Sequence, residues 1–294
     1  MKKILIFVGL ILIVCGLGYF FSTQKKAQTE KPIVVSGYVP YTFTRALAGK
    51  DTPIIMLLPP GAEPHSFEPT PGVLVQLKNA KAFIYVSDEL EPWAADLAKL
   101  AGPNTRVLQL AKLLAKSDDP HSWMNFEKAN LMVYQIAALL AELDPQQRSV
   151  TDKNWENLSA EIDALAEEFK RTLSTCKYKE VVHIGHLAFG EMLAPYGIKL
   201  TSLSGTSHEG EHSVKKIAAL VREMKDKHLP ALFTEETLSP RLAQAVAAET
   251  GVEILYLHPI EHISKRDFEN NISYTQLMHR NLENLKRGLQ CQAS

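Results

Sequence analysis

Short apolar runs, many of them β-branched, alternate along this chain with longer stretches in which apolar positions recur every three or four residues. Ile33-Val34-Val35, Ile54 to Leu58, Ala82 to Val86 and Val107 to Leu110 are runs of the first kind. They predict strands apolar on both faces, as in parallel sheets covered by helices on two sides. Thr42 to Ala48, Pro71 to Asn79, Glu91 to Leu100 and Glu127 to Leu143 supply the helices between and after them. In the last, Leu131, Tyr134, Ala138 and Ala141 share helical spacing. The alternation resumes with strands at Glu180 to His183, Ile198 to Leu203, Ala231 to Phe233 and Glu253 to Leu257. Helices follow at Ala188 to Pro195, Val214 to Lys227, Pro240 to Thr250 and Tyr274 to Leu289. Strands and helices in alternation predict an α/β protein.

Residues 144–175 break the pattern. They contain no glycine, their single proline stands at the start, and Trp155, Leu158, Ile162, Leu165, Phe169 and Leu173 recur at helical steps. This predicts one helix of about 30 residues, roughly 45 Å long at about 1.5 Å per residue, enough to run along the whole molecule. The chain therefore divides into an N-terminal α/β lobe over residues 31–143, a linking helix over 144–175 and a C-terminal α/β lobe over 176–294. Residues 1–30 stand apart. Lys2 and Lys3 precede an unbroken apolar run from Ile4 to Phe21, which reads as an export signal. Its length makes an uncleaved membrane anchor the rival reading. Cys15 within the run is a candidate lipidation site.

The 294 residues are 46% hydrophobic and 22% charged, with a formal net charge of -1. That is globular composition. The absence of a basic bias excludes nucleic acid as a bulk partner. For an exported chain, disulfides persist. Cys176 and Cys291 end two helices of the second lobe and are expected to pair; two buried thiols are the alternative.

Four of the ten histidines fall at one kind of place. His65 follows the second strand, His121 precedes a helix in Asp119-Pro120-His121-Ser122-Trp123, His186 lies at a strand-to-helix junction, and His258 directly follows a strand. Ligands of parallel α/β sheets bind at the carboxyl ends of strands. Two such histidines per lobe predict a metal site in the cleft between lobes, with His65, His121, His186 and His258 as the ligands. Imidazole is a common zinc ligand, and zinc favours four tetrahedral ligands. His183, three residues before His186, ends an apolar strand and reads as a buried neighbour of the site, with an alternative ligand role as the rival reading. His208 and His212 flank a Glu-Gly-Glu loop and read as solvated.

At these positions the chain resembles the metal-binding receptors of bacterial zinc and manganese ABC transporters. Pro60-Gly61-Ala62-Glu63-Pro64-His65 resembles the family's first ligand loop, Asp119-Pro120-His121-Ser122-Trp123 its second, and His186-Leu187-Ala188-Phe189-Gly190 its third. Phe233-Thr234-Glu235-Glu236 and Tyr274 to Asn281 are similar to further family segments. The resemblance implies two α/β lobes joined by one long rigid helix, and a monomeric extracytoplasmic receptor, not an enzyme. It also implies delivery of a divalent metal to a membrane permease, from the periplasm or the outer face of the cytoplasmic membrane. His186 is the zinc-type residue at the third position, so zinc ranks ahead of manganese. The family commonly carries aspartate at the fourth position, where this chain has His258; Glu235 or water is the alternative fourth ligand. Glu63 and Glu235 are expected to orient histidine N–H groups, and metal to leave as pH falls through roughly 6.5. A zinc hydrolase and a metal-binding surface adhesin are the competing functions. The former lacks a His-Glu-x-x-His helix.

Overall fold

The computed structural model describes residues 31–114, 119–203, 214–236 and 239–292. The expected export signal, Cys15, His208 and His212 lie outside these residues. In the first half, β1 (Ile33–Val35) leads into α1 (Tyr38–Leu47), then β2 (Ile54–Met56) and α2 (Pro71–Lys78). There follow β3 (Ala82–Tyr85), α3 (Pro92–Lys99), β4 (Arg106–Gln109) and α4 (Phe126–Leu143). Helix α5 (Arg148–Ser174) leads to the second half, with β5 (Glu180–Ile184), α6 (Gly190–Leu193) and β6 (Lys199–Ser202). The chain continues through α7 (Val214–Asp226), β7 (Ala231–Thr234), α8 (Pro240–Thr250) and β8 (Glu253–Tyr256), and ends with α9 (Lys265–Glu269) and α10 (Tyr274–Gly288).

Each half builds one four-stranded sheet, in the orders β2-β1-β3-β4 and β6-β5-β7-β8, with every pairing parallel. Val35 stands opposite Met56 on one side and Ile84 on the other. The strands are apolar throughout because both faces are covered. In β1 and β3, Val34 and Phe83 pack outward with Leu77 and Leu97 of α2 and α3, while Val35 and Ile84 face the central core. The second sheet repeats the arrangement: Val182 packs with Leu220 of α7 and Val246 of α8, and Val181 faces the centre. The order of each sheet reverses direction at the strand that starts it. Loops leaving the carboxyl ends therefore splay apart there and open a crevice.

The central core is shared. One continuous cluster runs from Ile33 and Phe43 through Met132, Ile162 and Phe169 to Val181, Leu257 and Leu285. Helix α5, 27 residues and about 40 Å long, lies along it. Leu158, Ile162, Leu165, Phe169 and Leu173 form its buried stripe. Phe169 meets Phe126 of the first half at a ring separation of 4.9 Å and Tyr196 of the second at 6.2 Å. Helix α10 is capped by Ser273 and Gln276, whose side chains bond each other's backbones reciprocally. It lies so close to the second sheet that a Cβ on Gly288 would collide with Phe233 and Leu255.

Several elements differ from the sequence-based expectation. The helix expected at Ala188 to Pro195 is shorter, Gly190–Leu193 followed by a 3-10 turn at Ala194–Tyr196, and 3-10 turns stand at Leu110–Leu113 and Ser122–Met124. Helix α1 begins at Tyr38, earlier than Thr42, because Pro40 sits in its first turn, where backbone amides have no intrahelical partner to lose. Helix α9 was not expected; five residues are too few for a periodic pattern. Among the described residues no helix is long and apolar enough to cross a membrane.

Cys176 and Cys291 form a disulfide that ties the end of α5 to the end of α10, across a separation of 115 residues. Replacing both by serine is expected to lower the unfolding free energy by about 2–4 kcal/mol, read from denaturant midpoints. An unchanged midpoint would show that the bond contributes nothing.

Candidate metal centre

Five loops that leave strands at their carboxyl ends meet in the crevice between the halves. His65 comes from the loop after β2 and His121 from the one after β4. His186 follows β5, Glu235 follows β7 and Glu261 follows β8. His121, His186 and Glu261 are buried, and the His65 side chain is 12% exposed.

The Glu261 carboxylate stands at the middle. Its Oε2 lies 3.4 Å from His65 Nε2 and 3.2 Å from His121 Nε2, and its Oε1 lies 3.1 Å from His186 Nε2. The His121 and His186 rings are 4.9 Å apart, and each lies within 6.0 Å of the His65 ring. One donor atom from each of His65, His121, His186 and Glu261 falls within 4.8 Å of every other.

Two of the rings are held from behind. Asp119 Oδ1 accepts both the backbone amide of His121, at 3.0 Å, and its ring Nδ1, at 2.7 Å. Glu235 Oε1 does the same for His186, at 3.1 and 3.0 Å. A carboxylate on Nδ1 puts the ring proton there and turns Nε2 towards the cluster. Gly185 permits this approach, since a Cβ there would collide with both Glu235 and His183. Glu63 accepts the His65 amide at 3.2 Å, so it braces that loop's backbone. His183 is buried, 3.7 Å from Glu235 and edge-on to Phe189.

His258 does not join the cluster. The chain turns back after it, so that its Nδ1 accepts the Ile260 amide at 2.9 Å. The donor group that reaches the three histidines is instead Glu261, three residues further on. Desolvation, then the neighbouring His262, pushes His258 down to about 3, so its ring is neutral. Nor is Glu235 in the group with the three histidines; it braces His186. The sequence reading gave no role to Glu261 or Asp119. Each had a signal: Asp119 stands two residues before His121 across a proline, and Glu261 lies in the loop that already held His258.

Residues 33–288 match the family described as "ZnuA: Zinc-uptake complex component A periplasmic". The chain belongs to this family. It is 27% identical over 315 residues to the zinc-binding protein AdcA of Streptococcus pyogenes serotype M18, covering 97% of this chain and 61% of that protein. The chain thus spans about six-tenths of that relative's length. It is 26% identical over 301 residues to the high-affinity zinc uptake system protein ZnuA of Bacillus subtilis, covering 95% of this chain and 94% of that one. The crystal structure of the Zn(II)-bound ZnuA-like domain of Streptococcus pneumoniae AdcA superposes with a TM-score of 0.79 at 27% identity, covering 88% of this chain and 99% of that one.

Charge inside the cluster sets its response to protons. Burial opposes a charged His186 ring, but the Glu261 carboxylate and then Glu235 outweigh it and raise the imidazole to about 10. Burial also opposes charge on His121, and its hydrogen bonds to Asp119 and Glu261 outweigh it, raising that ring above its ordinary value. In return His121 overcomes the burial of Asp119 and holds its carboxyl below the usual range. A histidine raised on folding stabilises the fold fully below its unfolded value of about 6.5 and loses that contribution as pH rises through its folded value. The thermal midpoint of metal-free protein is therefore expected to fall between pH 7 and pH 10. A midpoint that climbs across that window would contradict the ion-paired arrangement.

Proposed function

We propose that this protein is an extracytoplasmic receptor that captures one divalent transition metal ion, zinc first among them, and hands it to an ABC-transporter permease. His65, His121, His186 and Glu261 are the ligands in this reading. The observation that carries it is the spacing of their donor atoms. Four ligands at about 2.0–2.1 Å from a tetrahedral zinc ion stand about 3.3 Å from one another. The contacts from Glu261 to the three Nε2 atoms run from 3.1 to 3.4 Å. These separations, two to Oε2 and one to Oε1, are close to that edge length, and one donor atom from each of the four residues lies within 4.8 Å of the others.

The donor set supports the choice of ion. Three imidazoles and one carboxylate suit zinc, whereas manganese prefers an oxygen-rich set. A site with four protein ligands leaves no open position for an activated water, which favours capture over hydrolysis. Family membership and the zinc-binding relatives support the same reading and suggest the permease as the partner. The outer face of the cytoplasmic membrane, or the periplasm, is where such a receptor works.

Titration of metal-free protein with zinc is expected to saturate at a single equivalent and to raise the thermal midpoint by mass action. Because the ion displaces protons held on His186 and His121, binding should release protons, and affinity should rise with pH. Calorimetry in buffers of different ionisation enthalpy measures both. Glu261→Ala and His121→Ala should each weaken zinc binding by about 100-fold or more, beyond the effect of losing an outer partner of a ligand. Wild-type affinity in either variant would remove that residue from the ligand set.

A further inference from the structure

The chain between β8 and Glu261 follows an unusual path. Asn281 of α10 clamps the His258 backbone from both sides: the His258 amide donates to Asn281 Oδ1 at 2.7 Å, and Asn281 Nδ2 donates to the His258 carbonyl at 2.9 Å. The Pro259 carbonyl accepts the indole N–H of Trp123 at 2.8 Å, from across the crevice. Ile260 is fully buried at a φ of +66°. That left-handed conformation is uncommon for any residue but glycine and strained for a β-branched one. Its amide points back at His258 Nδ1, 2.9 Å away. The next residue is Glu261.

A buried amide in a strained turn needs an acceptor, since leaving it unpaired adds a desolvation penalty to the strain. His258 Nδ1 supplies that acceptor. We propose that His258 is a positioning residue: by accepting the Ile260 amide, its ring holds the left-handed turn that aims the Glu261 carboxylate at His65, His121 and His186. The inference rests on Glu261 being a metal ligand. In this reading a histidine at the fourth position of the sequence pattern serves the ion without touching it.

The ring's chemistry suggests how to test this. An asparagine Oδ1 lies as many bonds from the backbone as a histidine Nδ1 and accepts an amide two residues on in the same way. Leucine fills space but accepts nothing. His258→Asn should therefore bind zinc close to the unaltered protein. His258→Leu should bind about 10–100-fold more weakly. With cobalt(II) as a spectroscopic probe, the asparagine variant should keep the visible d–d spectrum of the unaltered protein, and the leucine variant should change it through loss of the carboxylate. A purely space-filling role predicts the reverse order of the two variants. A direct ligand role predicts equal losses in both. Either result overturns the proposal. Glu261→Ala separates the two levels of the argument. If it loses zinc while His258→Leu keeps it, the positioning role alone falls; if it keeps zinc, the ligand reading falls and takes the positioning role with it. Should the leucine variant not fold, nitrogen-15 shifts of the unaltered metal-free protein decide. The proposal requires the His258 tautomer with the proton on Nε2, and a proton on Nδ1 would end it.

Discussion

A buried carboxylate among imidazoles is the arrangement on which the rest of this molecule depends. Glu261 has no exposed side-chain surface and meets nitrogen atoms from both halves of the chain. A carboxylate taken out of water is costly unless it is closely paired. The pairing holds only while the first half keeps His65 and His121 opposite it and the second half keeps His186 beside it. Protons or a metal ion can satisfy the cluster, and the two compete for the same nitrogen atoms.

The fold meets that demand by making the halves one body. Loops from the first half reach the Glu261 loop directly: the Gly61 amide donates to the Ile263 carbonyl at 2.8 Å, and Trp123 bonds Pro259. Beneath them helix α5 passes through the shared core, and Phe169 touches aromatic rings of both halves. A domain boundary with few contacts would let the donor atoms drift by more than the few tenths of an ångström that separate a fitting site from a loose one.

Much of this was legible in the chain because its physics is local. Runs such as Ile33-Val34-Val35 announce strands covered on both faces, and the stripe from Leu158 to Leu173 announces the long helix. His65, His121 and His186 were recognisable because histidine is scarce and each follows a strand or precedes a helix. Glu261 was not, because it is one of 33 acidic residues and its one signal, the loop it shares with His258, drew attention to the histidine instead. What brings it to the site, and His258 away from it, is the turn at Ile260. Isoleucine is among the last residues expected at positive φ, so sequence rules carry no signal for that turn. Tertiary bonds from Trp123 and Asn281 hold the loop around it. Pro40 hid the start of α1 for a similar reason: a helix breaker in general, it is harmless in a first turn.

The last helix also finishes the first lobe. The Tyr274 ring packs against Phe43 at 5.0 Å, its amide donates to Thr42 and its hydroxyl to the Trp123 carbonyl. The Tyr38 hydroxyl donates to the Ile272 carbonyl. A chain made from its N-terminus onward thus completes its first core with residues that lie 232 and 234 positions later than their partners. Until the segment around Tyr274 is in place, the earlier half would present an unfinished apolar face to its surroundings.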